Sequence, residues 1–207
     1  MSLVPAYEKL QRRASITSSA RFNASVRIQK RASLSVWAIS LASIYLLMLS
    51  LVPLIFPKVG ESYSPHINAI NACLSLVVLV TSIIEAMRDH GRVAHLYHEA
   101  GLRIREIQNA VSISIADGKL SAEELRGFQA QYDKTLKEIG VNHLEIDVLQ
   151  AEIAKGIARD SSSERKLGLG AYVAKRLSYF RLWLMQFILY WICIVGPPVL
   201  VLCMLTR

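Results

Sequence analysis

The sequence predicts an all-α membrane protein, with three transmembrane helices and a cytoplasmic helical hairpin, the second span continuing into a long cytoplasmic helix. Three observations lead there. The 207 residues are 53% hydrophobic, a high share for a soluble domain of this size. The apolar residues gather in three runs, Leu34 to Phe56, Ile67 to Met87 and Leu182 to Leu205. At about 1.5 Å per residue each run reaches across the roughly 30 Å of hydrocarbon in a bilayer. No segment shows the two-residue alternation of a strand.

The basic excess of the chain, a formal net charge of +8, is not spread over a soluble face. Residues 1–33 carry Lys9, Arg12, Arg13, Arg21, Arg27, Lys30 and Arg31 against the single acid Glu8. The stretch 88–181 is nearly balanced, with fifteen basic and thirteen acidic residues. Basicity beside an apolar run sets orientation and attracts anionic lipid; it does not indicate nucleic acid. Residues 1–33 are therefore read as a basic cytoplasmic juxtamembrane segment with anionic lipid as its partner. Within it, QRRAS at 11–15 returns as QKRAS at 29–33. Eighteen residues are five helical turns, so on a helix both clusters share one face; chance similarity in a basic segment is the other reading.

Residues 34–87 are a two-span hairpin. A 33-residue segment precedes the first run and no small-residue cleavage pattern follows it, so a retained span is expected rather than a signal. The spans are joined by PKVGESYSPH, whose one base, Lys58, marks it as the outer loop. Cys73, Cys193 and Cys203 all fall in apolar runs, as small core residues rather than a disulfide framework or ligand set.

Along the second run Asn68, Asn71, Ser75, Ser82 and Glu85 recur at steps of three and four, with Val78 the apolar member of the series. Glu85 is the only charge inside any of the three runs. A polar stripe on a membrane helix either packs against another helix or lines a water-filled path. In the packing reading, Ser40, Ser43 and Ser50 of the first span form the matching surface. In the path reading, Val78 is the narrow apolar point and Glu85 a carboxylate ring at the inner mouth that favours cations.

Residues 88–160 are a cytoplasmic helical region. Val93, Tyr97, Ala100, Ile104, Ile107 and Val111 alternate steps of four and three, the spacing of a helix-packing seam for an oligomer or a hairpin. Ser121 with Glu124 reads as a capping box opening a second helix, through whose Phe128, Tyr132 and Leu136 part of the seam is covered. ADGKLSAEEL also resembles half of a calcium loop, but Ile113 and Ile115 would then occupy ligand positions. Asn142 and Glu145, after Gly140, repeat the helix-start pattern. Residues 161–181 are a linker and amphipathic lead-in, and 182–205 the third span. Lys175, Arg176 and Arg181 put its start inside and the C-terminus outside.

Catalytic signatures are missing: no phosphate-binding loop, dinucleotide fingerprint or nucleophile elbow is present. The chain is expected not to be an enzyme and to need no cofactor. His95, His98 and Glu99 share a helical face, but a zinc site there would need ligands from neighbouring chains, so no metal is expected.

RFNASVRIQKRASLSVWAISLASIYLLML, a short outer loop, a second span running into EAMRDHGRVAHLYHEAGLRIREIQ, and a helical tail together resemble the SLATT family. These are small bacterial two-span membrane effectors associated with nucleotide-second-messenger defence systems. The resemblance covers about residues 15–160, and the third run matches members with an added C-terminal helix. It implies a homo-oligomeric pore or channel-like effector of the cell (inner) membrane, silent until a nucleotide-signalling or soluble sensor partner acts. The alternative is a membrane-anchored helical scaffold that recruits a soluble partner enzyme.

Overall fold

The computed structural model describes residues 3–118, 120–138, 144–156 and 169–205, without the side chains of 59–63, 186, 189, 191–194 and 196–205. Six helices make up the described chain: α1 (Val4–Ile55), α2 (Pro57–Ala86), α3 (His90–Ala116), α4 (Ala122–Glu138), α5 (Glu145–Lys155) and α6 (Leu169–Leu205). No strand occurs among the described residues. The chain divides into two compact units. One comprises residues 1–29 and 90–184, the other residues 30–89 and 185–207.

α1 is one uninterrupted helix of 52 residues. Its only internal proline is Pro53, in the last turn, and the chain leaves the helix at Phe56 (φ −121°, ψ 80°), the extended backbone that a following proline enforces. Pro57 then occupies the first position of α2, where its missing N–H has no helical partner to lose. The expected ten-residue outer loop is therefore corrected. PKVGESYSPH is helical and forms the opening turns of α2, and Phe56 alone joins the two helices.

The expected continuous passage from the second apolar run into the next helix is also corrected. α2 ends at Ala86 and α3 begins at His90. Met87 N–H still bonds Ile83 C=O at 3.0 Å, but Arg88 N–H closes on Glu85 C=O at 3.2 Å, the three-residue step that tightens and ends a helix. In contrast, the boundary drawn at 181/182 is no break, because α6 runs through it. Gly140, Asn142 and linker residues 161–168 lie outside the described residues.

The charged unit is built around the N-terminal half of α1. Tyr7, Leu10 and Ala14 pack with Ile104, Ile107 and Val111 of α3 and with Leu125 and Tyr132 of α4. Ala24 and Ile28 meet Ala94, Tyr97 and Val93. Ile16 and Ala20 meet Ala151 and Val148 of α5. A helix covered on so many sides needs small residues for its neighbours to approach, and Ala14, Ser18, Ala20, Ala24 and Ser25 are all buried. α3 matches this at Gly101, where an added Cβ would lie 2.9 Å from the Phe22 ring.

Two local devices fix α4 and α5. The α3–α4 turn uses Gly118 at φ +69°, a left-handed position that suits glycine. Ser121 Oγ accepts the Glu123 N–H at 3.2 Å, so it caps α4. The other arm of the expected box is replaced by Tyr7. The Ser121 N–H donates to the Tyr7 hydroxyl (3.3 Å), which faces the Ser121 carbonyl at 2.9 Å and Glu124 Oε2 at 3.2 Å. On α5, Asp147 reaches back to the Leu144 N–H at 3.0 Å.

The second unit has the opposite texture. The most apolar window of α1 is 6% buried and that of the Ser64–Ala116 stretch 0%, so neither is the core helix of a soluble domain. Leu47, Leu54, Leu76, Leu79 and Met87 stand exposed.

Candidate functional site

The polar stripe lies on the covered side of α2. Asn71, Val78, Ser82 and Glu85 are half-buried, as are Ser64 and Ile67, while Asn68 and Ser75 are exposed with the rest of the described helix. The stripe serines satisfy themselves: Ser82 Oγ donates to Val78 C=O (2.6 Å) and Ser75 Oγ to Asn71 C=O (2.7 Å). Such back-bonding lets a hydroxyl sit in an apolar medium without a second helix or water.

Glu85 ends the stripe in a polar knot. Arg88 Nη1 donates to Glu85 Oε1 at 2.6 Å, Tyr190 of α6 donates to the same oxygen at 3.0 Å, and Arg31 Nε of α1 donates to the Tyr190 hydroxyl at 3.2 Å. Three helices of this unit are thus linked, α6 directly and α1 through the Tyr190 hydroxyl, to one carboxylate of α2, whose side chain is 14% exposed. Taking a carboxylate out of water is tolerable only with such partners.

The matching surface on α1 is not the expected one. Ser40, Ser43 and Ser50 are exposed, and Ser43 and Ser50 bond their own backbone at Ile39 (2.9 Å) and Leu47 (2.7 Å). The covered line is instead Arg31, Ser35, Ala38, Ala42, Tyr45 and Leu49. Its four-and-three spacing was present in the sequence, but its small members disguised it. Two buried polar atoms of this unit, Ser35 Oγ and Asn71 Oδ1, have no hydrogen-bond partner among the described residues.

The seam residues Tyr97, Ala100, Ile104, Ile107 and Val111 are buried and Val93 is half-buried, all inside the charged unit of this one chain. The face proposed for an oligomer or a hairpin is thus covered by α1 and α4. The helix pairing α3 with α4 alone would leave much of it bare. Sequence reasoning missed the α1 contribution because its few large apolar residues, Tyr7, Leu10, Ile16 and Ile28, are interspersed with buried alanine, serine and arginine in a basic segment.

Part of the basic segment is structural, while Lys9, Arg13 and Lys30 are exposed. Arg27 makes a two-pronged bond to Asp147 of α5, Nε to Oδ1 at 2.8 Å and Nη2 to Oδ2 at 3.0 Å, and Asn23 donates to the Asp147 carbonyl at 3.1 Å. Arg21 is buried over the Tyr97 ring, 5.7 Å from its centroid. Burial pushes its pKa down, opposed by Tyr97 and Tyr132. Burial also lowers that of Lys155, helped by Arg105, where Lys155 donates to the Ser15 carbonyl at 2.6 Å and to the Ser15 hydroxyl.

His98 packs edge-on against Phe22 (5.3 Å between centroids), and Glu99 accepts from Arg103 at 2.6 Å. Among the described residues no group of three or more His, Cys, Asp or Glu is placed to hold a metal.

An all-helical chain with two long, outwardly apolar helices and a separate charged helical unit is a membrane protein. More closely, the chain belongs to the SMODS and SLOG-associating 2TM effector domain family 5, whose model matches residues 6–204. The match runs through the C-terminal apolar run, so that run lies within the family domain. No curated protein and no solved structure matches the chain.

Proposed function

We propose that the chain is a non-enzymatic, homo-oligomeric effector that permeabilises the cell membrane when a soluble sensor or nucleotide-signalling partner acts on its charged unit. Residues 88–181 and the N-terminus are placed in the cytoplasm and α6 is a third span, on the strength of the bases before the first and third runs. The observation that carries this reading is the buried Asn71 Oδ1, which, like Ser35 Oγ of the same unit, has no partner among the described residues. An unsatisfied amide oxygen costs about 1–3 kcal/mol, and water or another copy of the chain relieves it.

In the proposed mechanism the described arrangement is the closed one. The Glu85 carboxylate is tied up by Arg88 and Tyr190, and Val78 supplies the apolar point that excludes water. The signal has three covalent routes toward the stripe, the unbroken α1, the Met87–Asp89 break between α2 and α3, and α6, whose Tyr190 holds Glu85. Opening releases Glu85 and brings Asn71, Ser82 and Glu85 of several copies around one path.

One observation favours a second reading. Ser75 and Ser82 bond only their own backbone among the described residues, as packing serines do, and a membrane-anchored scaffold needs nothing more. Ion flux from liposomes reconstituted with the full chain separates the two. Val78→Ser is expected to leak without a trigger, and Glu85→Gln to weaken cation preference. If both variants keep their oligomer and neither alters flux or selectivity, the scaffold reading replaces the pore.

A further inference from the structure

The opening turns of α6 present their apolar side outward. Leu169, Val173, Leu177, Phe180 and Leu184 are 84%, 56%, 71%, 58% and 41% exposed. Their steps of four and three put them on one stripe. The covered side carries Tyr172, Lys175 and Tyr179, followed by Leu182 and Trp183, all half-buried, and Lys175 bonds Glu152 of α5 at 2.5 Å. An apolar stripe turned outward departs from the arrangement of a helix lying on a soluble core. Around Val173 and Leu177 the stripe dips into a shallow apolar depression, also lined by Tyr172, Arg176 and Phe180.

We infer that residues 169–184 of α6 are a membrane-surface element whose exposed stripe is covered by the headgroup region of an anionic bilayer. Three features choose lipid over another protein. First, Arg176 and Arg181 are exposed, and at 100° per residue they fall one on each flank of the stripe, about 60° and 80° from its centre. Bases bordering an apolar face are what anionic headgroups meet. Second, Phe180 stacks on Trp183 with 6.4 Å between centroids, an aromatic pair of the kind that settles at headgroup depth. Third, the same helix continues without a break into the uncharged run that ends at Leu205.

Length agrees with this placement. The uncharged run 182–205 of α6 makes a helix of about 36 Å, longer than the roughly 30 Å of hydrocarbon in a bilayer. A helix too long for its bilayer tilts, and tilt turns one flank of the emerging turns toward the membrane plane. The stripe is that flank. The inference relies on α6 entering the bilayer, as proposed above, but not on any pore.

The test uses the full chain with Cys73, Cys193 and Cys203 replaced by alanine and single spin labels at Val173→Cys, Leu177→Cys, Ala174→Cys or Ser178→Cys. The protein is reconstituted in phosphatidylcholine vesicles with or without half phosphatidylglycerol. Labels at 173 and 177 are expected to collide with oxygen rather than with a water-soluble nickel chelate, by a ratio several-fold above that at 174 and 178. Phosphatidylglycerol is expected to raise this ratio, and Arg176→Gln with Arg181→Gln to remove most of the rise. Equal nickel access at all four positions overturns the inference. So does spin–spin broadening at 173 and 177 that disappears on dilution with unlabelled chain, which assigns the stripe to a second copy. A further label at Ile188→Cys, inside the uncharged run, reports whether α6 enters the bilayer: oxygen access there with equal nickel access at the other four positions fails this inference alone, and nickel access there as well fails the third span on which it rests.

Discussion

α1 passes through two environments, and the two units it serves are folded for opposite solvents. In the charged unit it buries Thr17, Ser18, Arg21 and Ser25 beside Tyr7 and Ile28, and the partner helices bury Asp147 and Glu152. In the second unit it leaves Val36, Trp37, Ile44, Leu47 and Met48 exposed and covers a thin line through Ser35 and Ala38. Polar residues inside and apolar residues outside would be a fault in one soluble domain. Divided between a water-facing unit and a lipid-facing one, the same features each meet the rule of their own medium: buried polar groups find partners, and apolar surface finds hydrocarbon.

The strongest way to break that comparison is to remove a partner inside the charged unit. Arg27→Ala leaves Asp147 buried and facing only the Leu144 N–H. Stranding one member of a buried pair costs about 3–5 kcal/mol. The full chain in detergent should therefore lose its charged unit first in a denaturant titration followed by circular dichroism. Exchanging both residues, Arg27→Met with Asp147→Leu, should return much of the loss. An Arg27→Ala midpoint within error of the parent would mean that α5 is not held by this pair.

A smaller effect is expected where α1 and α3 approach most closely. Phe22 is held between Gly101, the His98 ring and the Arg105 guanidinium, 4.9 Å over its face. Gly101→Val must displace the ring, an overpacking cost of about 1–3 kcal/mol, offset slightly by the better helix propensity of a non-glycine residue. Thermal unfolding checks it. Gly101→Val with Phe22→Leu should be milder than the sum of the single changes if the two groups collide as described.

Tyr7→Phe tests the substitute cap and should cost about 1 kcal/mol. It also carries a pH signature. The Tyr7 pKa is raised, mainly by burial and also by the Glu124 carboxylate, against the lowering hydrogen bond of Ser121; that of Tyr97 is raised by burial despite Arg27 and Arg21. Raised folded values mean that the native state holds these protons more tightly than the unfolded chain. The stability they lend is complete below the ordinary tyrosine value of about 10 and is lost as pH climbs through the folded values. Melting temperatures measured from pH 8 to 11 should fall at the top of the range, and less steeply in Tyr7→Phe.

What could be read from the sequence divides along the same line. The α3 seam was legible because Tyr97, Ile104, Ile107 and Val111 stand out among charged neighbours. The core half of α1 was not, because Ala14, Ser18, Ala20, Ser25 and Arg21 look like a solvated basic segment until α3, α4 and α5 close round them. Periodicity located Asn71, Val78, Ser82 and Glu85 on one face of α2. It had no means of naming Tyr190, 105 residues away, as a partner of Glu85, or of choosing the Ser35 line of α1 over Ser40, Ser43 and Ser50. The break at Met87–Asp89 contains neither glycine nor proline, and its one local signal is Asp89, an N-cap residue type directly before His90.

The smallest expected effect sharpens the comparison most. Leu76, Leu79 and Ile83 on the outer side of α2 are 61%, 57% and 52% exposed, while Ile104 of α3 is 0% exposed. Ile104→Ala opens a cavity in a packed core and should cost about 2–5 kcal/mol. Leu76→Ala removes a larger share of apolar surface than most surface changes, yet in lipid it gives up no burial, because acyl chains solvate leucine as well as another leucine does. A change within about 0.5 kcal/mol is expected, measured by unfolding of the full chain in lipid–detergent micelles. The equality would hold for Leu79→Ala as well, since both face the same medium. If Leu76→Ala instead costs as much as Ile104→Ala, the outer side of α2 is packed against protein in the assembled effector. The single chain would then be only half of the lipid-facing unit, and the contrast drawn along α1 would need a second copy to complete it.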